Sequence, residues 1–237
     1  MVGRQKRSER TVERLVTAAA DQFARHGYVR ATLADISSRA GVTKGALFFH
    51  FASKDELAVA VQERGRELME HSVTGLGPAE GAYLQAVVDL TFVLQRLLRE
   101  DVFVRASVRI AREHRDSDAA DADRNVVTGG VPGADPGVEE LDFYRVWLDL
   151  LWDLMAEARR GGELGRSVAD TSARTLVTAV VAGLEALTWL GAQRAEAEAW
   201  LTDLWSLLLP ALRPDRPDHR PVRTTAPALP AAQGRPS

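Results

Sequence analysis

The chain has 237 residues, 46% of them hydrophobic and 27% charged, with a formal net charge of −3 and no cysteine. Disulfides, thiolate catalysis and cysteine metal sites are therefore excluded, and there is apolar content enough for a core of this size. No apolar run reaches the roughly 18 residues needed to span a bilayer, and the basic start MVGRQKRSER has no apolar segment behind it, so the expected location is the cytoplasm and no membrane partner is expected.

Charge is distributed unevenly. Residues 1–60 carry ten Lys+Arg against six Asp+Glu, a surplus of +4, which leaves −7 for the remainder. All three lysines, Lys6, Lys44 and Lys54, lie in that first segment. A basic head on an acidic body is what phosphate binding at one end requires.

Helical periodicity dominates in chain order. Val12, Leu15, Val16, Ala19 and Phe23 form an apolar stripe, and Gly27 is placed to end it. Thr32-Leu-Ala-Asp35 reads as a capping box that opens a short helix stopping near Gly41. Thr43 can cap another from Lys44 to His50, and Ser53-Lys-Asp-Glu56 opens a longer one to about Thr74. Gly75, Gly77 and Pro78 then break the chain, and a domain boundary is expected near them. Further helices are expected around Leu84–Leu98, Val102–His114, Val138–Arg160, Asp170–Gln193 and Ala195–Leu209. Residues 115–137 read as a mobile loop, and the Pro-, Arg- and Ala-rich stretch from Pro210 onward as disordered. No segment reads better as a strand, so the expected class is all-α.

Thr32 to Leu57, TLADISSRAGVTKGALFFHFASKDEL, carries the function. It is two short helices joined by a tight turn. Leu33, Ile36 and Ala40 face inward from the first, Gly41 allows the reversal, Val42 fills the corner and Leu47 faces back from the second. Gly45 and Ala46 are small, so the second helix can approach a neighbouring surface closely. Its start is positively polarised by the helix dipole and by Lys44, which suits a phosphate-lined groove.

These residues resemble the DNA-binding domain of the TetR family of bacterial regulators over about residues 8–60. The resemblance rests on Ala40-Gly41-Val42-Thr43-Lys44-Gly45, Phe48-Phe49-His50-Phe51, Ser53-Lys54 and Glu56-Leu57. Phe48 stands where the family most often has tyrosine, so one hydroxyl available to a phosphate is missing. The resemblance implies base or sugar contacts from Thr43, Lys44, Gly45 and Phe49, and phosphate contacts from Thr32, His50 and Lys54. Arg4, Lys6 and Arg7 would form a basic arm. The alternative for Thr32 is a helix cap, for His50 a structural hydrogen bond, and for Phe51 the core.

Pattern and resemblance together give the expected organisation: a flexible arm over 1–7, a helix-turn-helix domain over 8–53, a connector helix over 54–76 and, from composition, a disordered tail over 211–237. A ligand-binding and dimerisation domain would cover 77–210. The partners would be double-stranded operator DNA, a small-molecule effector and a second copy of the chain held through the last two helices. Leu176, Val177, Val180, Val181, Leu184, Leu187 and Leu190, with Trp200, Leu204, Trp205, Leu207 and Leu208, offer apolar surface for that pairing.

Within the family, Val104–Ile110, Phe143–Trp147 and Ala158–Leu164 are similar to the γ-butyrolactone receptor group, although Val180 stands where those receptors often carry a hydroxyl residue. Trp147 would line the pocket, with Tyr144 and Tyr83 beside it and Arg105 and Arg109 available to an anionic ligand. No cofactor is expected. Two rivals stand against a ligand-released repressor. One is an architectural DNA binder. The other is an enzyme built on Arg109, Glu113, His114 and Asp116, which has no nucleophile, second histidine or metal set at a recognisable spacing.

Overall fold

The computed structural model describes residues 2–74, 81–114, 143–213 and 221–227. The described residues form nine helices and no strand: α1 (Val2–His26), α2 (Leu33–Ala40), α3 (Lys44–His50), α4 (Lys54–Thr74), α5 (Tyr83–Glu100), α6 (residues 102–114), α7 (Phe143–Arg160), α8 (Asp170–Trp189) and α9 (Arg194–Leu212). The all-α expectation holds. The loop expected at 115–137, Asp116 and the Gly75–Pro78 break lie outside the described residues.

The helix ends follow the local chemistry. Gly27, at φ 84°, ends α1, and Gly41, at φ 62°, ends α2. Both lie in the left-handed region where a side chain is strained. Thr32 and Thr43 accept from the backbone N–H groups of Asp35 and Ala46, both at 3.1 Å. At the start of α4, Ser53 accepts from Glu56 N at 3.1 Å, while the Glu56 carboxylate reaches the N–H of Ala52 at 2.7 Å. Pro210 lies inside α9 rather than at its end.

The chain divides into two compact units. The first comprises Met1–His71 with Glu100–Trp147, the second Ser72–Arg99 with Leu148–Ser237. The division is interleaved, whereas the sequence pattern points to one boundary near residue 76. The reason lies in the core of the first unit. Ala106 and Ile110 of α6 are buried in the same cluster as Leu15, Phe23, Ile36, Leu47 and Leu57, so the head does not close without α6.

In the second unit, buried Trp205 donates its indole N–H to Thr91 at 2.9 Å. The Glu163 carboxylate accepts the first N–H groups of α5, from Tyr83 at 2.8 Å and Leu84 at 2.9 Å. Arg159 pairs with Asp170 at 2.9 Å and donates to Gly165 O at 3.0 Å.

Both chain ends differ from expectation. The segment read as a flexible arm is helical from Val2, continuous with α1. In the stretch read as disordered, α9 runs to Leu212, and residues 221–227 are described with hydrogen bonds to α5. Composition predicts the absence of a periodic stripe there, and a single extended contact has none.

Candidate nucleic-acid interface

The helix-turn-helix is assembled as its residue types dictate. Ile36 and Ala40 of α2 and Leu47 of α3 are buried, while Leu33 and Val42 pack against the same cluster. Gly41 N donates to Ser38 O and Val42 N to Ser37 O, each at 3.0 Å, which closes the turn. Arg14 of α1 caps it by donating to Gly41 O at 3.2 Å.

The outer side of α3 is the opposite of its inner side. Thr43, Lys44 and Gly45 are exposed, and nothing lies within 4 Å of where a Gly45 Cβ would be. Phe49 is 82% exposed and Phe48 47%. A bare aromatic beside an open glycine on a helix N-terminal turn is a surface shaped for close approach, not for packing within its own unit. His50 is half-buried with its ring edge-on to Phe49, centroids 5.0 Å apart. Phe51 is core. Lys44 lies over Phe48, 5.8 Å from the ring centre.

Two expected phosphate contacts have internal partners. Thr32 is the α2 cap, and its hydroxyl also donates to the Asp35 carboxylate at 2.6 Å. It remains exposed. Lys54 is more deeply committed. Its ammonium donates to the backbone oxygens of Tyr28 at 2.9 Å, Ala31 at 3.3 Å and Val29 at 3.4 Å, and it lies 4.3 Å from the Tyr28 ring centre. A lysine has three donors, so three carbonyl acceptors saturate it.

The 27–31 turn that Lys54 grips is a hub. The Tyr28 hydroxyl donates to Asp55, and burial together with that carboxylate pushes the phenol above its ordinary range. From α6, Glu113 accepts Val29 N at 2.9 Å and the Arg109 guanidinium at 3.1 Å. Arg109 also donates to Ala24 O at 3.0 Å and Arg25 O at 2.9 Å, the last carbonyls of α1. His114 rests on Tyr28 with ring centres 4.8 Å apart. The sequence pattern did not reveal this turn, because its partners are 23 to 85 residues apart.

The expected ligand residues fall as follows. Trp147 is 1% exposed, and its indole N–H has no partner among the described residues. Arg109 is engaged at the hub. Arg105 is half-buried on α6, in the first unit with Trp147. Tyr83 lies in the second unit, at the start of α5. Tyr144 lies on α7, with its side chain outside the described residues. Among the described residues no group of three or more His, Cys, Asp or Glu could hold a metal.

A helical head that buries one side of a helix-turn-helix and bares the other defines a DNA-binding regulator. Residues 15–61 match the family model described as bacterial regulatory proteins, tetR family. The chain is 31% identical to the TetR family protein CprB from Streptomyces coelicolor A3(2), covering 91% of this chain and 95% of that one, with a TM-score of 0.65. It is 30% identical to a γ-butyrolactone receptor described as an ArpA-like protein, covering 88% and 90% of the two chains, with a TM-score of 0.62. It is 27% identical to the A-factor receptor protein of Streptomyces griseus, over 89% of this chain and 67% of that one. The chain belongs to the TetR family; it is a transcriptional regulator and not an enzyme.

Proposed function

We propose that this regulator is a dimeric repressor that binds a pseudo-palindromic operator through α3 and leaves it when a small lactone, furan or antibiotic-like molecule binds. Thr43, Lys44, Gly45 and Phe49 meet base edges or sugars, and Thr32 and His50 meet phosphates. Lys54 is left out of this set because its donors are used within the head. The observation that carries the reading is Phe49, 82% exposed next to the uncovered Gly45 on the helix led by Lys44. A solved neighbour supports it: CprB is described in complex with its biological operator sequence, at 28% identity and a TM-score of 0.59. Such a regulator works where the chromosome is, in the cytoplasm.

The second copy docks on α8 and α9. An open groove of about 550 Å³ there is lined by Leu176, Ala179, Val180, Leu204 and Leu208 together with Thr171, Ser172 and Thr175. Leu207 is 76% exposed, and Trp200 is exposed on the same helix. A self-complementary apolar patch on two helices suits a two-fold axis. Pairing would set two α3 helices about one DNA turn apart.

For the effector, Trp147 supplies a buried apolar wall whose N–H is unpaired among the described residues, which fits a ligand carrying an acceptor oxygen. The test begins with duplexes selected from a random pool by the full-length protein. Phe49→Ala should weaken the selected duplex about tenfold with an unchanged melting temperature; equal binding would remove α3 from the interface. With a γ-butyrolactone or furan as probe, Trp147→Phe should keep operator binding and raise the concentration needed for release. Release at the wild-type concentration would remove Trp147 from the pocket.

A further inference from the structure

After α9, the described residues 221–227 meet α5 through Arg223. Arg223 N donates to Gln85 Oε1 at 2.6 Å, and Gln85 Nε2 donates back to Arg223 O at 3.2 Å. A side-chain amide thus reads one backbone residue on both its donor and its acceptor, as a neighbouring strand would. The same Gln85 Nε2 donates to Asp89 Oδ1 at 2.8 Å, and the Arg223 guanidinium lies 3.4 Å from both Asp89 oxygens. Asp89 is 8% exposed; burial raises its carboxyl above the ordinary range, and Gln85 and Arg223 pull it back. A buried carboxylate one turn from a half-buried glutamine has a reason once an arginine is placed over it.

We propose that Gln85 and Asp89 form a binding site for an arginine in an extended peptide, and that residues 221–227 of the same chain occupy it as a releasable strap across α5. The glutamine fixes the backbone and the aspartate selects the guanidinium. The strap adds a third restraint to a helix already held at its start by Glu163 and at its middle by Trp205. Extended chain suits the role, since Pro221 and Pro227 bracket the segment and limit the freedom it loses on docking.

The sequence supplies its own test. Arg213, Arg216, Arg220 and Arg235 are each followed by proline, which trypsin does not cut. Arg223–Thr224 is therefore the one tryptic bond beyond α9, and it is the docked one. Native full-length protein is digested briefly, and release of residues 224–237 is followed by mass spectrometry against a synthetic peptide of residues 214–230. The wild-type chain should be cut about tenfold or more slowly than the peptide, because cutting waits on local opening. Arg223→Lys keeps a tryptic bond and leaves the helices untouched, yet shortens the side chain and removes the Nη2 donor that reaches both Asp89 oxygens. Measured against its own lysine peptide, it should lose most of the protection, and Gln85→Ala should do the same. Wild-type cleavage at the peptide rate, or equal protection in wild type and Arg223→Lys, would overturn the site. Protection that falls on dilution would overturn the intramolecular strap and place the tail on a second copy.

Discussion

Two surfaces of the same head are built on opposite principles. At the 27–31 turn, donors and acceptors answer one another: Lys54 with three carbonyls, Glu113 with Val29 and Arg109, Tyr28 with Asp55. On the outer side of α3, Phe49 and Phe48 are bare and Gly45 has no neighbour. Saturation marks what holds the head together, and vacancy marks what it presents. Two lysines ten positions apart, Lys44 and Lys54, look alike as charges in a sequence and sit in opposite surroundings.

The contrast can be broken at its strongest point first. Gly27 adopts φ 84°, and a Cβ there would lie 2.0 Å from Glu113 Oε1. Gly27→Ala should therefore cost about 3 kcal/mol, combining left-handed backbone strain with displacement of a carboxylate from its hydrogen bonds. Urea unfolding measures it; a stability within experimental error of wild type would mean that the hub is loose. Lys54→Ala should come next, at about 2 kcal/mol, because it strips a charged donor from part-buried carbonyls. Operator affinity corrected for the unfolded fraction should barely change. A large loss of affinity in fully folded Lys54→Ala would return that lysine to the DNA. Smallest in stability is Lys44→Ala, which should leave the melting temperature in place, because the side chain is exposed and only lies over Phe48.

Much of this was legible in sequence, for local reasons. The caps at Thr32, Thr43 and Ser53 and the glycine stops at Gly27 and Gly41 act over three or four residues, so spacing alone places α1 to α4. The inward set Ile36, Ala40 and Leu47 follows from helical period. What could not be read was long-range. The inclusion of α6 in the head core through Ala106 and Ile110 depends on packing against segments 45 or more residues earlier in the chain, and the capture of Arg109 by the α1 carbonyls spans 84 and 85. The same limit affected Trp205. Its apolar character suggested an exposed pairing face, but the helix turns it inward to Thr91 and leaves Leu207 and Trp200 outside. In the tail, proline and arginine composition read as disorder, and only the position of Gln85 and Asp89 on α5 gives Arg223 somewhere to bind.

The central claim is that α3, led by Lys44, enters the DNA groove. The direct measurement is the salt dependence of binding to a selected operator by fluorescence anisotropy, wild type against Lys44→Ala, in protein shown to be folded. Loss of one cation per head from the groove should weaken binding at each salt concentration and reduce the slope of log affinity against log salt by about 1 per subunit. An identical slope and affinity would contradict the account and place the DNA on another face.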